Sequence, residues 1–281
     1  MTMTVGFIGA GQLGEPMVMR LLGAGHHVLA YSRRPEVRDR LTAGGAASAG
    51  SVAELASESD ILISCLFSDE QLRETGLGPD GFIANAKSGS VFVSHTTGTV
   101  STLEALRDSS AAAPVILDAP VSGTAENIAA GTLTVLVGGP DDAVATVTPV
   151  LAAYADPVVA TGGLGSALAI KLINNLLFAA NAQLLAAATQ LGDDLGVDPG
   201  ALLSALQVCS ARSGAASHAE RIGGIDRFAE RAGPFLRKDI AACKQAAAED
   251  AVDLGLLGTV VGAGPLALDD GGDPATGGTS R

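Results

Sequence analysis

Lys171 is the single charged residue in GSALAIKLINN (165–175), a stretch of small and aliphatic side chains that reads as the start of a helix. On such a helix Lys171, Asn174, Asn175 and Phe178 share one face, at i, i+3, i+4 and i+7. An amine raised among aliphatic neighbours is partly desolvated. That disfavours its charged form and brings it towards the working range of a general acid and base. Asn175 has both a donor and an acceptor, so it can orient a hydroxyl or carboxylate beside the amine. The same spacing also suits a lysine whose stem packs along the helix while its head reaches water. Periodicity alone does not choose between the two.

A second constellation lies at the start of the chain. VGFIGAGQLGEP places Gly9, Gly11 and Gly14 in GxGxxG spacing between a short apolar run and a helical one. In that context the first glycine permits a tight turn, the second lets backbone approach a pyrophosphate, and the third lets helix pack on strand. Gln12 and Leu13 fall in the same turn, where a helix N-terminus offers unpaired N–H groups to an anion. About 20 residues on, an NAD site usually carries an acid for the ribose 2′-hydroxyl. This chain has Tyr31-Ser32-Arg33-Arg34 there, with no acid. A guanidinium can grip a 2′-phosphate through a charge-assisted fork, so the expected cofactor is NADP rather than NAD.

These residues need elements to position them. Strand-like runs at 5–9, 26–32, 61–67, 90–96, 115–120 and 132–139 alternate with helical patterns at 13–24, 35–43, 51–57, 69–75, 101–110 and 141–153. This rhythm predicts right-handed crossovers and a largely parallel sheet. After the Gly162-Gly163 pair, helix formers run from Ser166 to about Leu195. Asp198 and Pro199 then open another helix, and further helical pieces lie near 215–222 and 237–254. The expected fold is α/β: an N-terminal Rossmann-type doubly wound sheet (1–163), then an all-helical substrate and oligomerisation domain (164–265). The Gly- and Asp-rich residues 266–281 are expected to be a disordered tail.

Composition narrows the function classes. The 281 residues are 47% hydrophobic and 17% charged, with a net charge of −13 and a pI of about 4.6. No basic patch suggests a nucleic-acid partner. The run 168–188 carries Lys171, Asn174, Asn175, Asn181 and Gln183, which disfavours a membrane span. Cys65, Cys209 and Cys243 are widely spaced and odd in number, so neither a disulfide framework nor a metal site is expected. With no signal peptide pattern, the expectation is a soluble cytoplasmic protein. Cys65 reads as a core residue, and His95 and His218 as incidental polar residues without plausible partners.

Several ordered motifs, spanning about residues 4–255, resemble the β-hydroxyacid dehydrogenase family. GFIGAGQLGEPMVMRLLGAGH is similar to its cofactor motif. CLF (65–67) stands at its Leu-Pro loop over the cofactor, with Phe67 in place of proline after Leu66; Gln71 sits where a relative places an amide near the nicotinamide. HTTGTV (95–100) resembles its Ser-Thr loop, and Thr97 falls on the cofactor-contacting threonine. DAPVSGTAENIAAGTLTVLVGG (118–139) resembles its substrate signature, in which Ser122 and Gly123 would bind a substrate carboxylate; Thr124 and Asn127 replace glycines there. The stretch around Lys171 resembles its catalytic signature, with Ala167 in place of a glycine. FLRKDI (235–240) resembles its Lys-Asp element, whose lysine, here Lys238, reaches the cofactor.

The resemblance implies hydride transfer between NADP and a small carboxylated substrate, a β-hydroxy acid or its semialdehyde. Lys171 would be the acid and base, and Ser122, Gly123, Thr124, Asn174 and Asn175 would contact the substrate. An imine or ketone reductase of the same superfamily and a non-catalytic NADP-binding sensor are the alternatives. The apolar helix after Gly165 is rich in leucine and alanine, which points to a homodimer or homotetramer.

Overall fold

A computed structural model of the chain describes residues 3–249 and 251–268. It divides into two compact units, Met1–Lys171 and Leu172–Arg281.

In the first unit the strands are β1 (Thr4–Ile8), β2 (His27–Tyr31), β3 (Ala47–Ser48), β4 (Ile61–Ser64), β5 (Val91–Ser94), β6 (Val115–Asp118), β7 (Val121–Ser122), β8 (Leu133–Gly138) and β9 (Ala155–Gly162). The helices are α1 (Gly14–Gly23), α2 (Pro35–Ala43), α3 (Val52–Glu58), α4 (Asp69–Gly76), α5 (Phe82–Asn85), α6 (Val100–Asp108), α7 (Ala125–Ala130) and α8 (Asp141–Leu151). The sheet runs β3-β2-β1-β4-β5-β6-β8-β7, with β9 beside β8. Every pairing from β3 across to β6 is parallel, whereas β8 runs antiparallel to β6 and β7.

Alternation along each strand divides the core between the two faces. Val5, Phe7, Val28, Ala30, Ile61, Ile63, Val91 and Val93 join one cluster with residues of α1, α2 and α8. Their neighbours Ile8, Leu29, Leu62 and Phe92 join another with residues of α3 to α6. A sheet apolar on both faces must be covered on both, which is the doubly wound arrangement. The chain moves outwards from β1 to β2 and β3, then returns to β4. That reversal opens a crevice beyond the carboxyl ends of β1 and β4, where ligands of such sheets bind.

The remaining elements are helical: α9 (Ser166–Asp194), which begins in the first unit and continues in the second, α10 (Pro199–Leu206), α11 (Gly214–Ile222), α12 (Ile225–Glu249) and α13 (Gly255–Ala263). Asp198 caps α10 by accepting the Ala201 N–H at 2.8 Å. Leu176, Ala180, Leu203, Ala216, Phe228, Leu236 and Ile240 share the core of this unit. Gln183, fully buried, donates to the carbonyls of Val261 and Leu266 and accepts from Leu266 N–H, so it pins the segment after α13. By length and composition alone α9 could cross a membrane, with a mean hydropathy of 1.3, but half of that window is buried within the protein.

Three differences from the sequence reading stand out. The short strands β3, β7 and β9 lie outside the runs read as strands. α12 begins at Ile225, well before 237, and passes through Pro234, which sits on its exposed side while Phe228, Gly233, Leu236 and Ile240 are buried. The compact units part after Lys171, because the first turns of α9 pack with the sheet: Leu168 belongs to its core. Most of the expected tail lies outside the described residues.

Candidate active site

The chain leaves β1 and turns at Gly9, whose φ of +92° suits glycine. A side chain there would also strike the Cys65 carbonyl, at 2.3 Å from its Cβ. Gly11 N–H donates to the Gly9 carbonyl at 2.8 Å, which closes the turn. Gly14 presses α1 onto it, since a Cβ at Gly14 would lie 2.1 Å from the Gly9 oxygen. A Cβ at Gly11 would meet nothing within 4 Å. That position packs against nothing and keeps space open. Leu13 precedes α1 without a side-chain cap, so the first N–H groups of the helix lack a side-chain acceptor.

A cavity of about 680 Å³ lies beside this turn, a size usual for small-molecule sites. Of the residues assigned to the cofactor, Gly9, Gly11, Ser32, Arg33, Arg34, Leu66, Phe67 and Gln71 line it. Gln12 and Arg34 line an adjoining groove with Glu15 and Arg40. Arg40 forms a fork with Glu15 at 2.6 and 2.7 Å, which lowers the pKa of that carboxyl. Arg34 donates from Nη2 to the Ala10 carbonyl at 3.1 Å, so its guanidinium leans over the glycine turn. The far wall comes from Glu74, Thr75, Leu77, Pro79 and Asp80, which the sequence reading did not assign. Their position one to three turns beyond Gln71, on and after α4, was the available signal.

Two loops are held by side chains. Gln71 accepts the Phe67 N–H at 3.1 Å and fixes the 65–67 loop, from which Phe67 projects with 69% of its surface exposed. Asp69 accepts from both the N–H and the hydroxyl of Thr99, at 2.9 and 3.1 Å. Gly98 lies so close to Asp69 that a Cβ could not fit. Thr97 is half-buried in the loop so fastened.

Ser122 ends the short strand β7, and Gly123 follows it. Gly123 has a φ of +140°, and a Cβ there would approach Asn127 Oδ1 and Leu133 Cδ1 at 3.0 Å. Thr124 and Asn127, the replacements for glycine, bond to each other across the start of α7. Asn127 Oδ1 accepts from the Thr124 N–H and hydroxyl at 3.0 and 3.1 Å. The single hydroxyl proton of Thr124 is shared between Asn127 and Glu126.

Lys171 is half-buried on α9, and Asn175 follows one turn later on the same helix. Asn175 is 6% exposed; its Oδ1 accepts from Asn174 at 3.2 Å, while its Nδ2 is buried without a partner. An orphaned buried donor of this kind calls for an oxygen acceptor. Ala167 is fully buried. Its methyl is therefore core volume. Lys238 lies on the exposed side of α12 in the second unit.

His95 corrects an expectation. It is buried, with Nδ1 2.5 Å from the Ala119 carbonyl and Nε2 2.8 Å from the Tyr154 hydroxyl. The carbonyl requires Nδ1 to donate, so Nε2 accepts from Tyr154. Burial pulls its pKa down to about 4, against the opposing bond to Ala119. The partner stands 59 residues downstream, beyond any local pattern. His218 packs edge-on to Phe228 at 5.4 Å. All three cysteines are free thiols, and burial pushes Cys65 up to about 12, far from a reactive thiolate. Among the described residues, no three His, Cys, Asp or Glu side chains group as a metal site.

Comparison with known proteins gives consistent matches. Residues 4–163 match the family model of the NAD binding domain of 6-phosphogluconate dehydrogenase. Residues 165–273 match that of the NAD-binding domain of NADP-dependent 3-hydroxyisobutyrate dehydrogenase. Mitochondrial 3-hydroxyisobutyrate dehydrogenase of Mus musculus is 33% identical over 209 residues, which span 74% of this chain and 62% of the mouse protein. L-Threonate dehydrogenase of Cupriavidus necator is 35% identical over 204 residues, 72% of this chain and 69% of its own. The solved structure of Mycobacterium tuberculosis 3-hydroxyisobutyrate dehydrogenase with L-serine superposes with a TM-score of 0.82 at 26% identity, covering 93% of this chain and 92% of that one.

Proposed function

The chain belongs to the β-hydroxyacid dehydrogenase family, and from that premise we propose that it interconverts a small β-hydroxy acid and its semialdehyde or keto form, using NADP. The observation that carries this reading is the cradle: Gly11 faces open space at the uncapped start of α1, beside a cavity lined by Ser32, Arg33 and Arg34. When bound, the dinucleotide supplies or accepts the hydride. Ser32 and the two arginines hold the 2′-phosphate, and the N–H groups of α1 hold the pyrophosphate.

On the substrate side, the Ser122 hydroxyl and the Gly123 N–H anchor a carboxylate and so fix the reacting carbon. Lys171 protonates the carbonyl oxygen in reduction and takes the hydroxyl proton in oxidation. The unpartnered Nδ2 of Asn175 donates to a substrate oxygen. That the tuberculosis relative was solved with L-serine, itself a small β-hydroxy acid, supports the substrate class. Thr124 and Asn127 bond to each other, so the side chains that replace glycine cap α7. This favours a carboxylated substrate over the imine or ketone of more distant relatives.

The direct test is a panel of small hydroxy acids, matched alcohols without a carboxylate, and imines, each with NAD and NADP. The reading expects turnover to require the carboxylate and to favour NADP. Equal use of uncarboxylated substrates would replace it with the imine or ketone reductase reading, and cofactor binding without any turnover with the sensor reading.

The oligomer belongs to the same proposal. Ile170, Ile173, Leu177, Leu184 and Leu191 form a stripe at helical spacing along α9, each between 44% and 58% exposed. Such a stripe suits the same helix of a second copy. A monomeric mass at micromolar concentration would exclude a homodimer or homotetramer.

A further inference from the structure

Asp118 ends β6 fully buried, and its two carboxylate oxygens accept the backbone N–H of Gly165 at 2.7 Å and of Leu168 at 2.8 Å. A helix leaves its first N–H groups without internal acceptors, and α9 begins at Ser166. The cap of α9 is thus supplied by a strand 47 residues earlier in the chain. Two charge-assisted bonds and the positive end of the helix offset the cost of burying the carboxylate.

The surroundings are shaped to it. Gly138 sits opposite Asp118 in the antiparallel register of β6 and β8. A Cβ at Gly138 would lie 2.4 Å from Asp118 Oδ1 and 2.9 Å from the Gly163 carbonyl. Thr161 and Ser166 join hydroxyls at 2.7 Å, and Gly139 N–H donates to the Gly162 carbonyl at 2.8 Å. The first turn of α9 is therefore fastened to the sheet from two sides. Lys171 stands three residues beyond Leu168, less than one turn. Ser122 stands four residues beyond Asp118.

We propose that Asp118 is a positioning residue for the reaction: it fixes the rotation and height of the first turn of α9 against β6, and so sets where the Lys171 amine stands relative to the Ser122-Gly123 anchor. This rests on the reading of Lys171 as acid and base.

Two variants test it. Asp118→Asn keeps the shape and removes the charge and one acceptor. Gly138→Ala keeps the carboxylate and displaces it. For each, steady-state kinetics on the preferred hydroxy acid, NADPH affinity, and backbone hydrogen exchange over residues 163–172 are measured on the full chain. The expected result is a kcat about 100-fold lower, the scale of a small misplacement of a catalytic group. KM and NADPH affinity stay close to wild type, because the cradle is built on β1, β2 and β4, and exchange rises at 165–171 alone. Unchanged kcat or unchanged exchange at those residues overturns the proposal. So does loss of NADPH binding with faster exchange throughout the sheet in both variants, which marks a structural role only. If the parent chain turns over no hydroxy acid, the functional reading fails separately. Exchange then decides the anchor alone: a local rise supports it and no rise overturns it.

Discussion

Nε2 of His95 accepts the hydroxyl proton of Tyr154 at 2.8 Å, deep under the loop that carries Thr97. On its other side the ring donates to Ala119, three residues before Ser122. One imidazole therefore ties the loop that carries Thr97 to the segment that leads to Ser122. Burial favours the neutral form of that ring.

That neutrality makes stability depend on pH. Burial holds folded His95 near a pKa of about 4, whereas an unfolded imidazole titrates near about 6.5. Between these values the unfolded chain binds the extra proton. His95 therefore leaves stability intact above about pH 6.5 and erodes it as pH falls towards 4, by about 3 kcal/mol in all. Denaturant titrations of wild type and His95→Gln at intervals across this range isolate the effect. The difference between them should change by most of that amount; a constant difference contradicts the account.

The glycines of the first turn separate packing from binding. Gly14→Ala should cost about 3 kcal/mol, as overpacking does, because the methyl meets the Gly9 carbonyl at 2.1 Å. Gly11→Ala, with nothing within 4 Å, should melt like wild type and yet lose dinucleotide affinity. Thermal melts with and without NADPH measure both. A Gly11→Ala chain that is still stabilised by NADPH as wild type is would show that the ligand does not approach there.

On the proposed reading, Arg33 and Arg34 carry the preference between dinucleotides. Removing both in Arg33→Ala/Arg34→Ala should weaken NADPH by about 10- to 100-fold, the worth of one or two charge-assisted bonds, and leave NADH nearly unchanged. Fluorescence titration with each cofactor checks it. If the NADPH-to-NADH ratio is the same in the variant, the arginines do not read the 2′-phosphate.

Much of this site is legible in the residues themselves. GxGxxG between an apolar run and a helix, and arginines where an acid would serve NAD, are local patterns with a local mechanism, and the parallel sheet follows from the alternation of elements. Ser122 and Gly123 enter the proposed site only through likeness to a family, since a serine before glycine is also an ordinary turn. Three features escaped because their causes are distant in sequence. His95 needs Tyr154, Asp118 needs the start of α9, and the far wall of the cavity needs α4 and the segment after it brought beside the turn at Gly9 and Gly11 and beside Ser32. α12 escaped for another reason: Pro234 reads as a break, yet it lies on the exposed side of a helix held by its buried face. Thr124 and Asn127 are legible as replacements for glycine, but that they bond to each other across the start of α7 is not.

The most direct test of the central claim is the rate of hydride transfer in Lys171→Met, followed by NADPH absorbance with the preferred hydroxy acid. Removing a general acid and base should lower kcat by about 100- to 10,000-fold, with NADPH affinity retained. A variant that turns over at the wild-type rate would contradict the assignment of proton transfer to Lys171.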